Sequence, residues 1–550
     1  MDQRKKQRFN LKLNNLKLIL NSPKYQWILL YLILYSFHFP GEFTWSGWIY
    51  YHGVFQQILF IIGVLLIILN VLQLNSRINK FFLIIYMVSL LHALNYQWVY
   101  QTQLNFHLFE YAVQNFGILW KEFFPFLHEW SMVHYFPFLI LVLFYDPFLV
   151  FTRYRVNPTF LLLIVYLLLL FQSKLNDQTL PSIHQKQNRN QNVNRFINHI
   201  SNESHIVMIV LEGVSRKHLI GVSSKYINFS SLENSHFYIP MPHTSKSLFT
   251  WMTGESQINS SRIQSTKQIE GESLPFLLKQ KYFYETKMIY TQSIYFEGMN
   301  LFFPNVFQEV QDKTVLEKKI DTQKNYFSWG MDDRVVLSEF KHLDFDSQPL
   351  LIVVGLSQTH SPYFTHSHQD VALPKVLRHT KALEENIELI DELISYIKTN
   401  SKKETFLFIT ADHGESFGEG GAHAHNYSLY NQEIDVPFLM YKIQSNELFI
   451  PKLGSSIHFK QTLLDLLQKE SHRKENSQNF FSSNYQLELV LKTWNSEIQR
   501  GLVLDQKKYI FHTDRDTLYE MDLEDKNRKI ILDAKLKEQL LKKMYEHMQN

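Results

Sequence analysis

The chain has 550 residues, which at about 150 residues per domain allows roughly three or four folding units. Lys and Arg total 55 against 52 for Asp and Glu, and the net charge of +3 argues against a nucleic acid partner. Cysteine is absent, which excludes disulfides, thiolate zinc sites, iron–sulfur clusters and cysteine nucleophiles.

Residues 1–173 predict a membrane domain of about five helices. Apolar runs occur at 25–39, 54–72, 80–94, 134–151 and 157–173, and three of them reach the length of about 17 to 25 residues that a bilayer crossing needs. Basic residues precede the first run and lie between the second and third runs and between the fourth and fifth. In the alternate loops, 40–53 and 95–133, the only Lys or Arg is Lys121. The sequence therefore predicts an integral protein of the inner (cytoplasmic) membrane, with a cytoplasmic N-terminus and an extracytoplasmic C-terminal part.

The remaining chain divides into a linker and an α/β domain. Residues 174–203 are rich in Asn and Gln, which predicts a polar linker. From residue 204 to residue 550, short β-branched runs alternate with helical patterns, which predicts a mainly parallel sheet with helices around it.

Ionisable residues follow three apolar runs of this domain. Glu212 follows the run 205–211, His360 comes shortly after 350–356, and Asp412 with His413 follows 405–410. Ligands of open α/β sheets bind outside the carboxyl ends of the strands, so we expect these residues to converge on one crevice. Taken singly, each is also compatible with a capped turn or a hydrogen-bonded core histidine, but the joint pattern favours a site.

A fourth segment, MPHTSKSLF at 241–249, reads as the polar start of a helix. Thr244 or Ser245 is an N-cap in one interpretation. In the other, the helix N-terminus attracts a phosphate and a hydroxyl attacks phosphorus after a metal has lowered its pKa. With Thr244, the residues Glu212, Asp412 and His413 form a set of three oxygens and one nitrogen, which favours Zn²⁺ and also suits Mn²⁺.

The glycine-rich loop at 418–426 contains two histidines, His423 and His425. They alternate along the chain, so we expect one of them to face the crevice.

Several of these motifs resemble a known family. VMIVLEGV at 207–214, ADHGES at 411–416, HAHNYSLYNQEIDVPFLMY at 423–441 and KYIFHTDRDTLYEMDLEDK at 508–526 resemble the sulfatase-type branch of the alkaline phosphatase superfamily, over about residues 204–530. Together with the predicted anchor, the layout resembles the lipid A phosphoethanolamine transferases and the lipoteichoic acid synthases. TSKSLF at 244–249 and FSWGMDDRVV at 327–336 resemble the synthases more.

The resemblance implies specific roles. Glu212, Thr244, Asp412 and His413 match the metal site, with Thr244 as the nucleophile. His360 and His425 match the histidines that hold or protonate the transferred phospho-group. Apart from these matches, the candidate substrate contacts are Lys246, Asp332, Arg334 and His423. A solvated lysine is the alternative for Lys246, and an ordinary turn with an ion pair is the alternative for Asp332 and Arg334.

The implied reaction moves phosphoethanolamine or phosphoglycerol from a phospholipid donor, through a phosphothreonine, to an envelope lipid or glycan. The chain lacks the cysteine or serine motif that sulfatases convert to formylglycine, and Gly-Val-Ser follows Glu212, which favours a single metal. A hydrolase or phosphodiesterase using the same metal site is the main alternative. An inactive scaffold is less consistent with the intact ligand set. A transporter is less consistent with the odd number of predicted spans and with their short cytoplasmic loops.

Overall fold

A computed structural model of the protein describes residues 193–546, apart from 198, 261–262, 320–329, 368–372, 420–422, 469–477, 495–498 and 514. The predicted membrane helices within 1–173, and most of the predicted linker 174–203, lie outside these residues. Within the described part, no helix is both long and apolar enough to cross a bilayer.

Seventeen strands belong to the described residues. In chain order they are β1 (Val193–Asn194), β2 (His205–Leu211), β3 (His236–Tyr238), β4 (Glu285–Tyr290), β5 (Glu309–Asp312), β6 (Leu350–Leu356), β7 (Thr405–Ala411), β8 (Ser416–Phe417), β9 (His423–Ala424), β10 (Phe438–Lys442), β11 (Glu447–Phe449), β12 (Leu453–Ser455), β13 (Leu489–Lys492), β14 (Gln499–Leu504), β15 (Lys507–His512), β16 (Thr517–Asp522) and β17 (Lys529–Ile530).

The helices vary from one turn to seven turns in length. The α-helices of the described residues are α1 (Arg216–Leu219), α2 (Thr244–Thr253), α3 (Lys267–Gly271), α4 (Leu274–Tyr282), α5 (Phe303–Val306), α6 (Lys313–Leu316), α7 (Val335–Phe340), α8 (Lys375–Asn400), α9 (Asn431–Ile434), α10 (Phe459–Leu467) and α11 (Ala534–Glu546). Short 3₁₀ helices occur at Phe229–Leu232, Met299–Leu301 and Ser456–His458.

The central sheet has eight strands in the order β1-β11-β10-β7-β2-β6-β4-β5. The neighbours β7, β2, β6, β4 and β5 run parallel, and β10 is antiparallel to both β7 and β11. Strands β2, β6 and β7 are buried along their whole length, as expected for a sheet covered on both faces. The prediction of a mainly parallel α/β sheet is confirmed.

The three apolar runs predicted to end at the site are three adjacent strands. Their register pairs Leu211 of β2 with Leu356 of β6 on one side and with Ala411 of β7 on the other. The three strands therefore end at the same level, and the residues that follow them leave the sheet side by side. A second sheet, antiparallel in the order β13-β14-β15-β16-β17, forms the C-terminal part together with α11.

Candidate active site

Four side chains meet at the carboxyl edge of the central strands. Thr244 Oγ1 lies 3.2 Å from Glu212 Oε1 and 3.1 Å from His413 Nε2. His413 Nε2 also lies 3.2 Å from Glu212 Oε1 and 3.5 Å from Asp412 Oδ2. All four residues are buried. The structure thus brings together the complete set that the sequence suggested for metal binding.

Helix α2 brings Thr244 into this cluster, because Thr244 is its first residue and His243 is its N-cap. His243 makes no side-chain capping hydrogen bond, so the first-turn N–H groups are left to other acceptors. The neighbouring hydroxyl, Ser245 Oγ, donates to Glu297 Oε2 at 2.5 Å, and His243 Nε2 lies 2.7 Å from the same oxygen. The hydroxyls of Thr244 and Ser245 therefore have different partners, and the Thr244 hydroxyl is the one in the cluster.

Burial and neighbouring charges strongly shift the pKa values of Asp412 and His413, the two residues after β7. Burial, together with the negative charge of Glu212, raises the pKa of Asp412 to about 7. Burial alone would lower the pKa of His413, but the Asp412 and Glu212 carboxylates outweigh it and raise that pKa to about 10. His413 Nδ1 lies 3.0 Å from the Gly414 carbonyl oxygen, which orients Nε2 toward Glu212 and Thr244.

The donor set fits a divalent cation. Asp412 Oδ1 accepts hydrogen bonds from the N–H groups of Gly213 and His413, whereas its buried Oδ2 has no hydrogen-bond partner among the described residues. One ligand atom from each of Glu212, Asp412 and His413 lies within 4.8 Å of the others. A buried carboxylate oxygen without a hydrogen bond is costly, and a cation of the kind predicted from the sequence would bind Asp412 Oδ2.

A glycine is required immediately after His413. A Cβ on Gly414 would lie 2.0 Å from the carbonyl oxygen of Gln432, and the Gly414 N–H donates to the carbonyl of Glu433 at 2.9 Å. This backbone approach fixes the turn that carries Asp412 and His413.

His425 lies against the cluster. Its ring centroid is 4.0 Å from that of His413, and its Nδ1 lies 2.7 Å from Glu415 Oε2. The Tyr363 hydroxyl donates to the other Glu415 oxygen at 3.1 Å. Burial, with the nearby positive charge of His413, holds the pKa of His425 well below its usual range. His425 therefore has a carboxylate that orients its ring.

The remaining histidines are placed as follows. The His360 ring lies 6.0 Å from the His425 ring, and its Nδ1 lies 2.7 Å from the Ser361 carbonyl oxygen. His423 lies in β9, opposite Phe417 of β8. His413, Glu415 and His425 form a second group that can hold a metal, but it shares His413 with the first group.

The candidate substrate contacts differ in their surroundings. Lys246 is only 1% exposed, which rules out the alternative of a solvated lysine. Asp332 Oδ2 pairs with His366 Nε2 at 2.8 Å, and its Oδ1 accepts the N–H of Arg334, whose side chain is exposed. A turn and an ion pair are thus present at Asp332.

Three residues of the site were not anticipated from the sequence. They are Glu415, which holds His425; Gln292, whose Nε2 donates to Glu212 Oε2 at 3.0 Å; and Glu297, which binds the residues on both sides of Thr244. Glu415 lies within the ADHGES motif, so its position was a usable signal. Gln292 and Glu297 follow β4 in a segment without a distinctive pattern.

Part of the chain matches a known protein family. Residues 204–469 match the family model described as Sulfatase. The solved structures similar to this chain include the lipoteichoic acid synthase LtaP from Listeria monocytogenes, with 15% identity over 68% of this chain and 96% of that one and a TM-score of 0.46. An alkaline phosphatase superfamily protein from Vibrio parahaemolyticus shows 14% identity over 68% and 92%, with a TM-score of 0.43.

The C-terminal periplasmic domain of EcEptC from Escherichia coli shows 16% identity over 57% of this chain and 97% of that one, with a TM-score of 0.40. No curated protein matches the chain. The resemblance inferred from the motifs is confirmed as far as the family model reaches: residues 204–469 form a domain that matches the sulfatase family model.

Proposed function

We propose that the protein is a metal-dependent transferase that moves a phospholipid headgroup, phosphoethanolamine or phosphoglycerol, to an envelope lipid or glycan through a phosphothreonine. The observation that carries this proposal is the position of Thr244 Oγ1, within 3.2 Å of both Glu212 and His413 at the start of helix α2. A hydroxyl in this position has both a ligand set beside it and a helix N-terminus, which favours negative phosphate oxygens.

Glu212, Asp412 and His413 would hold the cation, with Thr244 as a fourth ligand. Zn²⁺ is the ion that this set favours, and Mn²⁺ is the alternative. When bound, the cation would lower the pKa of the Thr244 hydroxyl and polarise a phosphate oxygen.

The side chains then carry the transfer in two steps. His425 takes the proton of the Thr244 hydroxyl, Thr244 Oγ1 forms a bond to phosphorus while the bond from phosphorus to the diacylglycerol oxygen breaks, and His425 gives that proton to the diacylglycerol oxygen. In the second step His425 takes the proton of an acceptor hydroxyl, the acceptor oxygen bonds to phosphorus while the bond from phosphorus to Thr244 Oγ1 breaks, and His425 returns the proton to Thr244. Glu415 keeps the His425 ring in place through both steps, and His360 lies close enough to assist.

The proposal includes the predicted anchor. Membrane helices within residues 1–173 would hold the catalytic domain at the outer face of the cytoplasmic membrane, where donor and diacylglycerol product both reside. Lys246, Asp332, Arg334 and His423 remain candidate headgroup contacts.

Hydrolysis is the second candidate, because the match to the sulfatase family model is equally compatible with a hydrolase or phosphodiesterase that uses the same site. The purified full chain is incubated with headgroup-labelled phosphatidylethanolamine or phosphatidylglycerol, with and without an extract of envelope lipids and glycans. A transferase places the label on an acceptor and releases diacylglycerol. Release of the free labelled headgroup at the same rate with or without acceptor would identify a hydrolase. Thr244→Val is the inactive control for both.

A further inference from the structure

A short chain of hydrogen bonds reaches Glu212 from the side opposite to Thr244. Glu212 Oε1 faces Thr244 and His413, whereas Oε2 accepts a hydrogen bond from Gln292 Nε2 at 3.0 Å. The amide oxygen of Gln292 accepts in turn from the Tyr290 hydroxyl at 2.9 Å. The two carboxylate oxygens of Glu212 therefore have different partners: Oε1 faces the site, and Oε2 is held by Gln292.

The neighbouring strand leaves room for the Tyr290 ring. Tyr290 is the last residue of β4 and pairs in register with Gly355 of β6. A Cβ on Gly355 would lie 2.3 Å from Tyr290 Cδ2 and 2.7 Å from Cε2, so only glycine lets the ring lie against this strand. Glycine inside a fully buried strand weakens the strand, and its presence marks a close approach. Here the approaching group is the ring of Tyr290.

Gln292 is fixed at its backbone as well as at its side chain. Its carbonyl accepts the Lys313 N–H at 3.0 Å, and the residue is 7% exposed. Because the Tyr290 hydroxyl donates to the amide oxygen, the amide NH₂ must point toward Glu212. A buried carboxylate with one oxygen already bound cannot rotate freely, so Glu212 presents Oε1 in a single orientation.

We propose that Tyr290 and Gln292 are positioning residues that orient Glu212 for metal binding. This inference rests on the proposed function, since it takes Glu212 as a metal ligand. Neither residue needs to touch the ion or the substrate. Their contribution is to remove the conformations in which Glu212 turns away from His413.

The test measures the zinc affinity of the purified full chain by competition with a chromophoric chelator. We expect Gln292→Met, which keeps the side-chain length, to weaken zinc binding by about 10- to 100-fold, the usual range for a group that orients a metal ligand. Tyr290→Phe keeps the ring and removes only the hydroxyl, and it should weaken binding by a smaller factor. The double variant should bind zinc as Gln292→Met does, because Tyr290 acts only through Gln292.

Tyr284→Phe is the matched control. It removes another buried tyrosine hydroxyl just before β4, one that donates to the Ser204 carbonyl oxygen at 2.9 Å. It should leave the zinc affinity unchanged, and its melting temperature in the presence of chelator should match that of Tyr290→Phe. This comparison separates a loss of stability from a loss of ligand orientation.

The outcomes distinguish this inference from the proposed function. Equal zinc affinity in the wild type, Gln292→Met and Tyr290→Phe overturns the positioning role alone. Weaker zinc binding in the variants supports that role even if the wild type transfers no headgroup, a result that would overturn the proposed function instead. A wild-type chain that binds no zinc overturns both.

Discussion

The strongest quantitative prediction concerns the protons that compete with the metal. In the folded chain His413 has a pKa raised to about 10 by the neighbouring carboxylates, and burial with the charge of Glu212 raises the pKa of Asp412 to about 7. A metal ligand must be deprotonated, so metal binding at neutral pH has to displace the His413 proton, and below about pH 7 it must displace the Asp412 proton as well.

The pH dependence follows from this count. Between about pH 7 and pH 10 one proton is displaced, so the zinc affinity should rise about tenfold per pH unit. Below about pH 7 two protons are displaced, and the slope should be about 100-fold per unit. The zinc affinity at about pH 6 should therefore be about 10³-fold lower than at about pH 8, because it falls about tenfold from pH 8 to pH 7 and about 100-fold from pH 7 to pH 6.

Isothermal titration calorimetry in buffers of different ionisation enthalpy counts the released protons directly. Thr244→Val is the matched control, since it removes one oxygen ligand but keeps both titrating groups, and it should show the same two slopes at lower affinity. Asp412→Asn should show the one-proton slope throughout. A slope that does not change near pH 7 in the wild type would mean that zinc displaces no proton from Asp412. Zinc binding without proton release would mean that His413 carries no proton to displace.

Two further predictions concern the support of the site. Glu415→Gln should slow headgroup transfer because the His425 ring loses its carboxylate. We expect His425→Gln to lower the transfer rate by about 10²- to 10⁴-fold, and Glu415→Gln to lower it by no more than that. The double variant should be no slower than His425→Gln. A double variant slower than His425→Gln would show that Glu415 acts independently of His425. Gly414→Ala should lower the free energy of unfolding in urea by about 1 to 3 kcal/mol, because its Cβ would lie 2.0 Å from the Gln432 carbonyl oxygen. Gly271→Ala, with no atom within 4 Å of an added Cβ, should be neutral or stabilising by about 0.4 to 1 kcal/mol, and an equal loss in both variants would contradict the steric explanation.

The sheet and the main cluster were predictable because their signals are local. The runs 205–211 and 350–356 coincide with β2 and β6, and the run 405–410 is one residue shorter than β7. Buried parallel strands are continuous apolar runs, and the ionisable residue after each run marks where the strand ends. Since adjacent parallel strands end at the same edge, Glu212, Asp412 and His413 could be brought together by topology alone.

The contacts that Gln292 and Glu297 make with the site were not predictable in the same way. Gln292 meets Glu212 across 80 positions of sequence, and that contact depends on the Tyr290 ring lying over Gly355. Glu297, which contacts the start of α2, has a backbone φ of 44°. This conformation is uncommon for a residue other than glycine, and the local sequence does not predict it. For the contact between Gln292 and Glu212, the usable signal was Gly355, a glycine within an otherwise apolar run. Side-chain contacts of this kind follow from packing rather than from periodicity.

The proposed transfer requires that Thr244 becomes covalently attached to the headgroup. Intact-mass and peptide mass spectrometry can detect this attachment on the zinc-loaded full chain, incubated separately with phosphatidylethanolamine and with phosphatidylglycerol. We predict that one of these donors adds the mass of its phosphorylated headgroup to the peptide containing Thr244, and that Thr244→Val gains no mass. Diacylglycerol release with no adduct on the chain, or an adduct mapping to Ser245, would contradict the account.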